Sequence, residues 1–347
     1  MSFRIFMYRK LTGNKTRAEQ KMKKLYIHVG AHRTATTNIQ ATMFHNWKNL
    51  LDLGYLYPLG VQRHIGVFNN IFKGKASVRA VSIDLLKRSE NQNKTIHSIV
   101  LSDEDICMRR DLSPLRAFKE FFDVKIVFGM RRQDLWLESW WAQNVKGQWD
   151  PVLSHRSWDD FIADRRRFHW IDYNKYLEHI ADVFGKESIL PYVFESRKMP
   201  EGPVAEFCRK LGIKSISKWN AAGGRNISLT PEMSEFVRHL PFDQARMGYR
   251  LKFIEAAEKV DAVIRAEGSS NLLLQHEQRR EIMDEYDPGN KAVARNYFNS
   301  STLFDEPLPS KSSAIGKPCL PMSTDVVMSR LVAPFISELV SKFDKKP

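Results

Sequence analysis

Cysteine is scarce in this chain: Cys107, Cys208 and Cys319 are the only three in 347 residues, far apart and in no C-x-x-C arrangement. Their spacing argues against a disulfide framework or a cysteine zinc site as the source of the fold, and a reducing cytoplasm is the expected compartment. Long apolar runs are missing too, since no stretch of about 20 residues is apolar enough to cross a bilayer as a helix. Residues 1–23 are basic (Arg4, Arg9, Lys10, Lys15, Arg17, Lys21, Lys23) but lack the apolar centre of a secretory signal. They read as an N-terminal arm, and Met22 stands where a natural start could lie. Internal repeats are also absent.

What is present is the composition of a soluble globular protein, 43% hydrophobic and 27% charged. The chain can bury a sizeable core, as one α/β domain with or without an appendage. A formal charge of +14 raises nucleic acid or an acidic membrane surface as partners. The basic residues are dispersed, however, and no RNP-like aromatic run or zinc finger interleaves them. No specific nucleic-acid partner is expected, and a polyanionic substrate or cofactor explains the charge as well.

The organising stretch is residues 24–43. An apolar run from Leu25 to Val29 ends in Gly30, passes through a polar turn and restarts at helical spacing with Ile39 and Met43, which reads as strand, loop, helix. Amides of a first helical turn have no partner within the helix and sit at the positive end of its dipole. With Arg33 beside Thr34, Thr36 and Thr37, the loop is an expected cradle for phosphate or sulfate. In the nucleotide-triphosphate pattern G-x-x-x-x-G-K-[ST], Gly30 would stand first, with Ala35, Thr36 and Thr37 at the last three positions. The lysine is therefore missing, and the cation stands three residues earlier, at Arg33.

His32-Arg33-Thr34-Ala35-Thr36-Thr37 resembles the 5′-phosphosulfate loop of sulfotransferases that use 3′-phosphoadenosine 5′-phosphosulfate (PAPS), whose usual form is Pro-Lys-Thr-Gly-Thr-Thr. Arg33 stands for the family's lysine and Ala35 for its glycine. Arginine delivers the charge as a planar fork that can hold a leaving oxygen but is a poorer proton donor to it. Ala35 adds a methyl group where glycine takes positive φ freely.

A second apolar run, Ser98 to Leu101, ends in Ser102-Asp103-Glu104-Asp105, as suits a buried parallel strand whose carboxyl end carries chemistry. In a kinase or NTPase, this strand would end in an acid that holds Mg²⁺ with ATP. The resemblance instead makes Glu104 the base that accepts a proton from an acceptor hydroxyl or amine. Asp103 is also placed to cap the helix that follows. The third run, Val124 to Met130, leads to Arg131 and a helix containing Ser139. That Arg-x7-Ser spacing matches the family's 3′-phosphate motif, in which a guanidinium fork and a hydroxyl grip one phosphate.

Other segments carry less. His64 and His97 read as incidental, Arg132 as a surface charge, and Trp136, Trp140 and Trp141 as core. Arg165-Arg166-Arg167 reads as a solvated face. Expected helices are 39–56, Tyr173 to Phe184, Val204 to Leu211, Gln244 to Glu267 and Val326 to Phe343. A fourth strand is expected at Ser188 to Val193, with Pro191 favouring an edge. Val183 to Gly185, Phe207 to Gly212, Asn226 to Leu229 and Asn290 to Phe298 also resemble bacterial sulfotransferases, and Gly223-Gly224-Arg225 is a candidate late contact to the 3′-phosphate.

Together these imply a three-layer α/β sandwich with a central parallel sheet and P-loop nucleotide-binding-like topology. The expected organisation is an arm at 1–23, a sulfotransferase-like domain at 24–305, and a linker with a terminal helix at 306–347. The implied activity is transfer of a sulfuryl group from PAPS, as co-substrate and without metal, to a hydroxyl or amine. Polysaccharide, lipid-linked sugar and small metabolite are all open as acceptors. Arg33 and Glu104 are the candidate catalytic residues; His32 to Thr37, Arg131, Ser139 and Arg225 are the candidate donor contacts. The alternatives are an ATP- and Mg-dependent kinase or NTPase, and a non-catalytic polyanion-binding protein.

Overall fold

The structure is a computed structural model that describes residues 22–220, 222 and 228–344. The basic arm and Gly223-Gly224-Arg225 lie outside the described residues, apart from Met22 and Lys23.

Five strands form one sheet: β1 (Lys24–His28), β2 (Tyr55–Leu56), β3 (Ser98–Ser102), β4 (Asp123–Met130) and β5 (Ile189–Val193), in the order β2-β3-β1-β4-β5. All four neighbouring pairs are parallel. The side-chain period of two sends alternate residues to opposite faces. Leu25, Ile27, Ile99, Leu101, Ile126 and Phe128 join one core cluster, and Tyr26, Val100, Val127 and Tyr192 join another. Helices cover both faces, giving a three-layer α/β sandwich. On the first face lie α3 (Gln133–Gly147) and α4 (Tyr173–Phe184), whose Trp136, Trp141 and Tyr176 are buried in the larger cluster. On the second lie α1 (Thr36–His45) and α5 (Pro203–Leu211), through Ile39, Met43, Phe207 and Leu211.

The order of strands has a consequence for function. From β1 the chain turns toward β2 on one side, whereas from β4 it turns toward β5 on the other. Loops therefore diverge at the carboxyl ends of β1 and β4, which is where open α/β sheets form a ligand crevice. This is the P-loop nucleotide-binding-like order expected from the sequence.

The four strands expected from the sequence are present, and β5 with Pro191 is at the sheet edge, where a missing N–H costs no ladder bond. Tyr55–Leu56 was not expected as a strand; two residues carry no readable period. The helix expected over 39–56 is two helices, α1 and α2 (Trp47–Asp52), broken at Asn46. The Asn46 side-chain amide donates to Thr42 O and to Asn220 O, both at 2.9 Å, tying the break to a distant segment. Toward the C terminus, α6 (Met247–Ala266), α7 (His276–Phe298) and α8 (Ala333–Asp344) extend the larger cluster. Among the described residues no helix is long and apolar enough to cross a membrane.

Candidate active site

The loop after β1 leaves the sheet alongside β4, with Val29 N donating to Val127 O at 3.0 Å and Ala31 N to Gly129 O at 3.1 Å. Gly30 has φ 103°, and a Cβ there would lie 3.2 Å from Glu104 Cβ, so only glycine lets the two segments meet. Arg33 and Ala35 take φ of 65° and 61° while Thr34 between them does not. Alternating handedness of this kind turns successive amides toward one point, an anion-binding concavity. The first turn of α1 adds its unpaired amides to the same place. The Thr34 hydroxyl donates inward to Ala31 O at 2.7 Å, so this residue offers an anion its amide and not its side chain. Thr36 is buried and Thr37 exposed. His32 packs 4.7 Å from the Trp140 ring, and its carbonyl accepts from Trp136 Nε1 at 2.8 Å.

Arg33, Arg131 and Ser139 come together. Arg33 Nε donates to Ser139 Oγ at 2.7 Å and Nη1 to Gln143 Oε1 at 2.8 Å. Arg131 Nη1 donates to Arg33 O at 3.1 Å, and its guanidinium lies 5.6 Å from the centre of the Phe194 ring. Tyr173 grips the Arg131 backbone from both sides, accepting from its N–H at 3.0 Å and donating to its carbonyl. Among the described residues no carboxylate makes an ion pair with either arginine, whereas Arg132 and Arg279 nearby are both paired. Burial, with the charge of Arg131 beside it, pushes Arg33 down to about 10. Arg131 is likewise lowered by burial. The two cations stand close together, with Glu138 and Asp134 acting on Arg131 only from beyond ion-pair distance, an arrangement suited to an anion. A cavity of about 240 Å³ opens from Arg131 and Ser139 toward Ser228, Leu229 and Asn271.

The acids after β3 form the facing wall. Glu104 is buried against Gly30, accepts from Gln40 Nε2 and lies 3.4 Å from Arg63 Nε. Asp103 Oδ1 accepts from Asp105 N at 3.2 Å, the capping contact expected of it, and sits 2.6 Å from Arg63 Nη2. Burial pushes Asp103 up to about 6 against the opposing pull of Arg63. Asp105 lies 2.6 Å from Arg63 and 3.1 Å from His32 Nε2. Burial alone would raise it, but His32 and Arg63 outweigh that and hold it down at about 2. Behind this wall, Ser102 Oγ contacts Gln40 Nε2 at 3.1 Å and His28 Nδ1 at 2.9 Å. Burial lowers His28 to about 3, leaving it neutral.

Sequence reading missed Arg63, Gln40 and Gln143. Arg63 has no local signal: its loop reaches β3 through His64, whose N donates to Ser102 O at 2.9 Å and whose Nδ1 accepts from Ser102 N at 3.0 Å. His64 is therefore a buried anchor. Gln40 and Gln143 lie one helical turn beyond Thr36 and Ser139 respectively, facing the same way at i+4.

Arg132 is not the surface charge expected. It is buried, 2.7 Å from Asp134, and donates to Glu306 O and Pro307 O. Trp136, Trp140 and Trp141 are core, as expected. Arg165 and Arg166 share Glu285 at the surface.

No protein-family model matches the chain. An uncharacterized protein of Archaeoglobus fulgidus is 26% identical over 201 residues, 56% of this chain and 52% of that protein, so the match spans about half of the relative's length. A sulfotransferase from Alicyclobacillus acidocaldarius matches 63% of this chain and 90% of its own at 13% identity and a TM-score of 0.38. A superposition that loose fixes neither substrate nor activity.

Proposed function

We propose that this chain transfers a sulfuryl group from PAPS to a hydroxyl or amine of an acceptor, with carbohydrates among the candidates, through a unit spanning residues 24–305. The observation that carries this reading is the pair Arg33 and Arg131 at the divergence of β1 and β4: both are half-buried, neither makes an ion pair with a carboxylate among the described residues, Arg33 bonds Ser139, and Arg131 bonds the Arg33 carbonyl. Arg131 and Ser139 would hold the 3′-phosphate. The loop amides from Thr34 to Thr37 would hold the 5′ end.

In the reaction, the acceptor oxygen or nitrogen bonds to sulfur as the bond from sulfur to the bridging oxygen breaks, and Glu104 takes the acceptor proton. The amides of the first turn of α1 and the Arg33 guanidinium, turning from Ser139 toward the loop, meet the charge on the departing oxygen. The scheme calls on no metal. One preorganised donor of this kind is commonly worth about 3 kcal/mol, so Arg33→Ala should lower the rate on the order of a hundredfold.

The rival kinase or NTPase is disfavoured by Arg63, which already occupies Asp103 and would compete with Mg²⁺ for it. Thermal-shift comparison of 3′-phosphoadenosine 5′-phosphate with ADP plus Mg²⁺ separates the two. Stabilisation by the bisphosphate alone is expected, and stabilisation only by ADP with Mg²⁺ would reject the proposal. Screening acceptor pools with labelled donor then tests turnover. A polyanion-binding protein without activity would transfer nothing, and its binding would fall steeply with salt.

A further inference from the structure

Three carboxylates stand within one turn of chain at the end of β3, facing the loop assigned above to a multiply charged anion. Unopposed, they would repel it. His32 meets Asp105, but among the described residues the cation that reaches all three is one side chain on an otherwise unassigned loop. Arg63 Nη2 lies 2.6 Å from both Asp103 Oδ1 and Asp105 Oδ1, and Nε lies 2.8 Å from Asp103 Oδ1 and 3.4 Å from Glu104 Oε2. One planar fork reaches all three acids, which a lysine ammonium could not do in the same way.

The loop is built to hold that fork. Leu59 and Gly60 take successive left-handed conformations, with φ of 71° and 61°, and reverse the chain after β2. Tyr57 Oη donates to Gln62 O at 2.7 Å, and the His64 contacts to Ser102 pin the far side. Gln62 Nε2 reaches Thr37 O at 3.4 Å, so the same loop touches the first turn of α1. The groups facing Arg63 are Asp103, Glu104 and Asp105 from the end of β3, with His32 from the first loop and Gln40 from α1 contacting those acids.

The geometry points to Arg63 as a positioning residue that holds Glu104 over Gly30 and offsets part of the acidic charge beside the anion loop. It acts through the acids and does not itself touch the donor. This inference rests on the donor-site reading above.

The test is calorimetric titration with 3′-phosphoadenosine 5′-phosphate from pH 5.5 to 8, in buffers of different ionisation enthalpy so that proton uptake is counted. Wild type should bind with little uptake. Arg63→Met should bind more weakly as pH rises, by up to about tenfold per pH unit, because the exposed acids must take up a proton to admit the anion. Arg63→Gln, which keeps a polar group, carries the same expectation if Arg63→Met does not fold, and Arg63→Lys, which keeps the charge but not the fork, should restore the wild-type behaviour only in part. Wild-type proton uptake and pH dependence in the neutral variants would overturn the inference while leaving the donor site standing. Failure of the wild type to bind the bisphosphate would overturn the donor site, and this inference with it.

Discussion

Helix α3 carries two kinds of arginine contact, one fully buried and one half-buried, and they behave as opposites. Toward α7, Asp134 and Glu138 meet Arg279, which is fully buried, and Asp134 also meets Arg132. Glu138 further accepts from Leu273 N at 2.6 Å and Leu274 N at 2.9 Å, so each charge there is spent on structure. Toward the loop after β1, Ser139 meets Arg33, and among the described residues no carboxylate makes an ion pair with Arg33 or Arg131, although Glu138 and Asp134 favour the charge of Arg131 from farther away. Burial of a charge is tolerated when it is paired and hydrogen-bonded, and is costly otherwise. The ion-paired arginines hold the fold, whereas the pair without ion partners is the one to which the proposed function gives the negative ligand.

That contrast is sharpest in stability. Arg279→Ala strands Asp134 and Glu138 in the core and should cost about 3–5 kcal/mol, seen as a lowered urea midpoint. Arg131→Ala should change the unfolding free energy by about 1 kcal/mol or less, since it trades a hydrogen bond, a contact with Phe194 and attraction to Glu138 and Asp134 against relief of burial and of repulsion with Arg33. Its effect belongs in binding. Loss of a charge-assisted bond should weaken 3′-phosphoadenosine 5′-phosphate by on the order of tenfold to a hundredfold in calorimetry. If Arg131→Ala unfolds the chain as Arg279→Ala does, the two arginines are of one kind and the comparison fails.

The acids facing the loop extend it to pH. The folded state raises Asp103 to about 6, so it binds that proton more tightly than the unfolded chain; the stability this contributes is full below about 4 and is lost as pH rises to 6. Asp105, held at about 2, contributes in the other sense: its share is full above about 4 and is lost as pH falls toward 2. Their combined contribution therefore peaks near pH 4. Urea titrations from pH 3 to 7 should show Asp103→Asn gaining on the wild type between pH 4 and 6. A constant difference across that window would mean that Asp103 does not titrate there.

The smallest expected effect is at Ala35. A left-handed alanine is strained by about 1 kcal/mol, and glycine returns part of that as chain entropy, so Ala35→Gly should stabilise by about 0.5 kcal/mol. Thermal unfolding checks the sign. A loss instead would mean that the alanine methyl makes packing contacts that outweigh its strain.

The apolar runs at Leu25 to Val29, Ser98 and Val124, and Pro191 at the edge, were readable because a short apolar run bounded by polar residues is a local signal. Arg33, Arg131 and Ser139 were readable as candidates because their spacing relative to two strands survives in one dimension. Arg63 was not, since nothing in Val61 to His64 marks a residue that will meet acids some 40 positions later. Arg132 was misjudged for a related reason: a charged residue beside another arginine looks solvated until α7 and Glu306 close over it.

By itself the chain determined most of the segments that become strands and helices, and marked two turns as candidates for an anion, because periodicity and turn chemistry act over a few residues. Only the packed sheet decided that β1 and β4 lie side by side, that Arg33 reaches Ser139, and which arginines find carboxylates. Charge compensation depends on distances through space, and those exist only once the layers have closed.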